Sequence, residues 1–244
     1  MTSTRTKRVL VALVGLLVLF AGACVHASSL TVSPTRIPLS GKHRAVTVRL
    51  LNLGNEPLTV QAHVVAWTLS ENRDAYRDSD DVLLNPPIVT LEPQKPQLIR
   101  LGLRRPYLEG GEIAYRLIVE EVPPAPKPGV MGLRTILRIT IPIFVAPPGG
   151  ERKQLDLNAE RMPGGMKITA TNNGNAHVQI RRLDLSPEAS SDAPARQKVL
   201  DYLLPGQTRA WIFEEAQIRA AQKLALTVVT DAESFSVSLV PANR

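Results

Sequence analysis

By type, the side chains best suited to acid–base work or metal binding are the histidines. The chain has four, of which His26 lies in the leader-like start and His43, His63 and His177 stand in separate segments. No H-x-H or H-E-x-x-H spacing joins them, so they do not form a zinc or copper ligand set. Surface or strand positions are expected of them. The adjacent carboxylates Glu120 and Glu121 fall in a strand-like run, where neighbours point to opposite faces, and so make a poor acid–base pair. The run ENRDAYRDSDD, Glu71 to Asp81, offers oxygen ligands but lacks the D-x-[DN]-x-[DN]-G loop of an EF-hand, and an exposed connection is expected there. There is no G-x-S-x-G elbow and no phosphate-binding glycine loop. The chain therefore reads as a protein that is not an enzyme, with no cofactor and no metal.

The elements that position these residues begin after Arg5, Lys7 and Arg8, an apolar run from Val9 to Ala23, and Val-His-Ala at 25–27. That pattern is a secretory signal peptide cut after Ala27, too short for a comfortable membrane span. Cys24, the sole cysteine, lies inside it, so the mature chain is expected to hold no thiol and no disulfide although its compartment permits them. Of the 29 basic residues the leader removes three, leaving 26 against 22 acidic, a net charge of +4. That is mildly basic, without the Lys/Arg blocks or basic–aromatic interleaving of a nucleic-acid binder.

Twenty prolines and 4% aromatic residues argue for all-β structure. Strands are expected near 30–38, 44–52, 58–68, 97–103, 113–122 and 133–145. The break APPGG at 146–150 follows, then strands near 153–158, 166–172, 176–185, 198–203, 208–213, 223–230 and 234–240. The best helix candidate is Glu214 to Gln222. Two sets of short strands suggest two β-sandwiches in tandem. A weak repeat agrees: VTVRLLNLGNEPLTVQAHV and MKITATNNGNAHVQIRRL each place an Asn-x-Gly-Asn turn between strands, with Asn and Gly expected to supply positive φ.

One segment exceeds the ordinary strand. Met131 to Val145 reads MGLRTILRITIPIFV, with Met131, Leu133, Thr135, Leu137, Ile139, Ile141 and Ile143 on one parity and Arg134 and Arg138 on the other. Fifteen residues at about 3.3 Å each span roughly 50 Å, well beyond a small sandwich. Pro142 cannot donate to a ladder, which points to an edge strand. A long apolar edge is a hazard that proteins suppress, and keeping one suggests use. Periodicity alone serves equally well a row offered to a partner and a row belonging to the first core.

Several segments together resemble the periplasmic chaperones of the chaperone–usher pathway: LTVSPTRIPLS at 30–40, NEPLTVQAHVVAW at 55–67, LLNPPIVTLEPQKPQLIRL at 83–101, YRLIVEEVPP at 115–124 and LRITIPIFVAPPG at 137–149. The AYRL and IPIFV segments look more like the archaic, Csu-type branch of these PapD-like proteins. The resemblance implies two immunoglobulin-like sandwiches set at an angle: a signal peptide at 1–27, an N-terminal domain at 28–147 carrying a donor strand, and a C-terminal domain at 148–244. It implies a periplasmic protein that caps fimbrial (pilin) subunits by donor-strand complementation and delivers them to an outer-membrane usher. Backbone bonds along the edge give affinity, and alternate side chains enter the subunit's open groove.

In that reading Met131, Leu133, Thr135, Leu137 and Ile139 are donated, while Ile141 and Ile143 stay in the core. Leu133, Leu137 and Ile139 would contribute roughly 1.5–3 kcal/mol each on full burial, before association entropy is subtracted. The resemblance also implies basic residues that anchor the subunit's C-terminal carboxylate. Arg36 falls on one anchor position, Pro142 occupies the place of the usual lysine, and Arg116 is the expected replacement. Glu112 and Asp231 match an interdomain ion-pair network whose arginine is replaced here by Ala146. An exposed donor edge could also pair with a second copy of itself. The alternative is a secreted tandem Ig-like adhesin or carbohydrate-binding protein, for which only Trp67 and Trp211 are available as tryptophan platforms.

Overall fold

Alternation such as Val46-Thr47-Val48-Arg49-Leu50 hides one parity of side chains and wets the other, and strands follow from runs of this kind along the whole chain. The computed structural model describes residues 30–70, 73–107, 110–123, 135–188, 190 and 193–242.

Ten strands come from the first half: β1 Leu30–Ser33, β2 Ile37–Leu39, β3 Ala45–Asn52, β4 Leu58–Ser70, β5 Arg73–Asp78, β6 Val82–Asn85, β7 Ile88–Leu91, β8 Pro96–Leu103, β9 Ile113–Glu121 and β10 Arg138–Val145. They form one sheet ordered β1-β3-β8-β6 and a second ordered β2-β10-β9-β4-β5, with β7 also paired to β4. Their inner faces enclose one core that includes Ile37, Leu50, Val60, Ile99, Leu117 and Ile143.

The second half supplies β11 Leu155–Met162, β12 Gly165–Asn172, β13 Val178–Pro187, β14 Ala195–Leu203, β15 Thr208–Phe213, the helix α1 Ala216–Ala220, β16 Leu224–Thr230 and β17 Ser234–Leu239. Its sheets are β11-β12-β15 and β14-β13-β16-β17, around a core that includes Ile168, Ile180, Leu183, Phe213, Leu226 and Val228. The helix is five residues long, shorter than the sequence suggested, and its N-cap Glu215 makes no side-chain capping bond. Buried Ile218 ties it to the core.

Three strand expectations change. The expected strand 30–38 is split at Pro34: β1 pairs with β3 in one sheet, and β2 pairs in parallel with β10 in the other. A proline without an N–H is a natural point for a strand to leave a ladder. The charged run 71–81 is not merely a connection, because Arg73–Asp78 forms β5 against the end of β4, with Tyr76 opposite Trp67. Its charges hide the pairing from a pattern search that looks for apolar alternation. The long strand, expected from 133, begins at Arg138. Its partner β9 ends at Glu121, whose N–H donates to the Leu137 carbonyl at 2.9 Å as the last rung of the pairing, two residues before Pro123.

The repeat runs deeper than its letters. In each half a buried asparagine, Asn52 or Asn172, accepts a bond at Oδ1 from the N–H two residues on, Gly54 or Gly174, at 2.9 Å. Its Nδ2 donates to the carbonyl four residues on, Glu56 or Ala176, and to a strand-end carbonyl, Leu91 or Leu203. The same asparagine's carbonyl then accepts the N–H of Gln94 or Gly206, both at positive φ. Contrary to expectation, Gly54 and Gly174 do not have positive φ. Glycine is needed at 174 for space, since a Cβ there would strike the carbonyl oxygen of Arg152.

Candidate functional site

The expected donor row shows a gradient of burial. Thr135 is exposed, Leu137 and Ile139 are half-buried, Ile141 is 3% exposed and Ile143 is fully buried. Ile139 packs against the rim of the first core, whereas Ile141 and Ile143 are inside it. Met131 and Leu133 lie outside the described residues. On one side β10 pairs with β9 over its whole length; on the other it meets β2 only from Ile143 to Val145. The backbone edge from Arg138 to Pro142 therefore has no partner strand among the described residues. That edge runs away from the core, toward the part of the row that is not buried.

Arg116 is the direct cross-strand neighbour of Pro142. Both side chains stand on the outer face of the β9–β10 pair, because the inner parity belongs to Leu117, Ile141 and Ile143. The guanidinium of Arg116 thus lies on the same face as the side chain at 142. It stacks 3.6 Å from the centre of the Trp67 ring and lies 5.6 Å from that of Tyr202. Among the described residues its carboxylate contact is to Asp74 Oδ2 at 3.7 Å, too long for a hydrogen bond. Arg116 Nε and Trp67 Nε1 are buried without partners among the described residues. Burial pulls the Arg116 pKa below its ordinary value, and Tyr76, Asp74 and Tyr202 only partly offset this.

Arg36, immediately before β2, is differently placed. Its Nη1 donates to Asp231 Oδ2 at 2.7 Å, and its Nη2 donates to Gln179 Oε1 at 2.9 Å and Tyr202 Oη at 3.2 Å. All three partners come from the second sandwich. Its guanidinium lies 5.7 Å from the Tyr202 ring, so Arg36 and Arg116 approach one tyrosine.

Glu112 and Asp231 both bridge the halves, but not to a shared arginine. Asp231 takes Arg36, while Glu112 accepts the backbone N–H of His177 at 3.0 Å and holds its Nδ1 at 2.8 Å. The His177 ring stacks on Phe144 with centroids 3.6 Å apart and planes 8° from parallel. Tyr202 lies within 5.5 Å of both Phe144 and Trp67. With Ala114 and Leu204 these rings form a small third core between the sandwiches. Beside it, Arg209 on β15 donates to Asp74 at 3.0 Å and to Asp201 at 2.9 Å.

Sequence reasoning missed His177, which is buried rather than on the surface, because its partner Glu112 is sixty-five positions away. It also missed Asp74, Tyr202 and Arg209, which carry no motif. Trp67 is 2% exposed and offers no open platform for a sugar ring.

The sequence profile described as "Pili and flagellar-assembly chaperone, PapD N-terminal domain" matches residues 29–151. A curated relative, chaperone protein FimB/FhaD of Bordetella pertussis, is 28% identical over 193 residues, covering 73% of this chain and 77% of its own. Among solved structures, the CsuC–CsuE chaperone–tip adhesion subunit pre-assembly complex from the archaic Csu pili of Acinetobacter baumannii aligns with a TM-score of 0.65 at 19% identity, covering 88% of this chain and 99% of the matched one. The E. coli chaperone DraB aligns with a TM-score of 0.59 at 18% identity, covering 86% and 98%. At those identities the likeness concerns the fold.

Proposed function

This chain belongs to the family of pili and flagellar-assembly chaperones, and we propose from that premise that it captures fimbrial subunits in the periplasm by donor-strand complementation and delivers them to an outer-membrane usher. It works by binding alone, without a reaction, a cofactor or a metal. Its division follows the same reading: a leader at 1–27, a donor-bearing domain at 28–147 and a second domain at 148–244.

The observation that carries the proposal is the edge of β10 from Arg138 to Pro142, which has no partner strand among the described residues and is continuous with a row whose burial fades from Ile141 through Ile139 and Leu137 to Thr135. An extended subunit segment can add to that edge, with Ile139, Leu137, Thr135, Leu133 and Met131 facing its groove. Arg116 and Arg36 sit at the inner end of the edge, where a chain terminus would stop. A carboxylate there would gain charge-assisted hydrogen bonds. Glu112 and Asp231 hold the second sandwich against this point.

The test is co-expression with a candidate subunit in a bacterial periplasm, followed by co-purification. Leu133→Glu combined with Leu137→Glu should abolish the complex while leaving the chaperone folded. A well-formed complex with that double variant would defeat the proposal.

A further inference from the structure

Two arginines meet at Tyr202, yet their counter-ions differ in kind. Arg36 spends both terminal nitrogens on three hydrogen bonds, the shortest 2.7 Å to Asp231. Its carboxylate partner is settled, and displacing it would break a tie between the sandwiches. Arg116 has Asp74 at 3.7 Å with no hydrogen bond between them, and its Nε has no partner among the described residues. Asp74 is bound better elsewhere: its Oδ1 accepts from Arg209 at 3.0 Å, and its Oδ2 accepts the Tyr76 hydroxyl at 3.2 Å. The other acids of this stretch of chain, four residues away on either side, are engaged, with Glu112 on His177 and Glu120 on Arg138 at 2.8 Å.

We propose that Asp74 is a built-in competitor for the ligand carboxylate at Arg116, a stand-in counter-ion that the arriving chain terminus displaces and that Arg209 retains. The proposal rests on Arg116 being an anchor, as in the reading above. Two carboxylates beside one guanidinium repel each other, so Asp74 penalises the incoming carboxylate. Arg209 relieves the penalty by holding Asp74 from the other side. Since Arg209 belongs to the second sandwich and Asp74 to the first, occupation of Arg116 tightens a bridge between them. Asp74 and Arg209 thereby set how strongly the site prefers a free carboxylate to a neutral chain end.

The experiment measures binding of the mature chain to a synthetic peptide of alternating valine and threonine ending in tyrosine, as the free acid and as the amide. Wild type should prefer the acid. Asp74→Asn should raise the acid-over-amide ratio by about fivefold, the scale of one partly screened charge contact. Arg209→Gln should lower the ratio, because Asp74 then turns fully to Arg116, and Asp74→Glu should restore the wild-type value. A merely structural role would move both peptides together in both variants. A ratio that falls or stays level in Asp74→Asn, while Arg116→Ala still abolishes the preference, overturns this inference and leaves the anchor standing. A preference that survives Arg116→Ala leaves Arg36 as the anchor and overturns the part given to Arg116 and this inference with it; a preference absent in wild type overturns the anchor reading as a whole.

Discussion

At the scale of single residues, the junction is held by side chains whose partners lie on the other sandwich, and their charges make it sensitive to acid. Burial of the Asp231 carboxyl pushes its pKa up, but the hydrogen bond from Arg36 and the positive charges of Lys153 and Arg36 outweigh this and hold it below its ordinary 3.8. A carboxyl depressed in the folded state adds stability above its unfolded pKa and loses it as pH falls through the folded one. Asp231→Asn should therefore be less stable than wild type in chemical denaturation at neutral pH. The gap should close as the pH drops below 3.8. A gap that persists unchanged in acid would mean that the pair contributes through packing rather than charge.

At the scale of elements, the two Asn turns bear a structural load that their surface position conceals. Asn52 and Asn172 each satisfy two main-chain carbonyls and accept one N–H while 2% and 0% exposed. Replacing either by alanine strands a buried strand-end carbonyl, Leu91 or Leu203, together with the carbonyl of Glu56 or Ala176, and a loss of about 2–3 kcal/mol is expected from each in urea unfolding. Because the bonds correspond one to one, the two costs should be alike. A marked inequality would show that only one half depends on the motif. The same scale explains β10: one strand carries core residues at its end and, among the described residues, an edge without a partner strand at its start, and the extent of β2 decides where one becomes the other.

At the scale of the whole molecule, the rings of Trp67, Phe144, His177 and Tyr202 couple two cores that share no sheet. Phe144 is central, since it sits on β10 yet packs outward at 4% exposure. Phe144→Ala should remove the stack on His177 and cost about 3–5 kcal/mol, mostly from coupling rather than from either core. Calorimetry should then resolve two transitions where wild type shows one. A single transition shifted as a whole would place Phe144 in the first core instead.

Much of this protein was determined by its sequence. Period-two alternation placed most strands, and the apolar parity of Ile139, Ile141 and Ile143 in β10 was legible, because these signals are local. The Asn-x-Gly-Asn repeat was legible too, though its reason was not: glycine at 174 answers to the Arg152 carbonyl across the turn, not to a φ angle. The tertiary structure alone decided that Arg116 stands opposite Pro142, that His177 is buried on Glu112, that Arg36 is tied to Asp231, and that a charged run forms β5. These are pairings between positions far apart in the chain. Each depends on strand register and on the contact of two separately folded cores, and neither leaves a period or a spacing for the sequence to display.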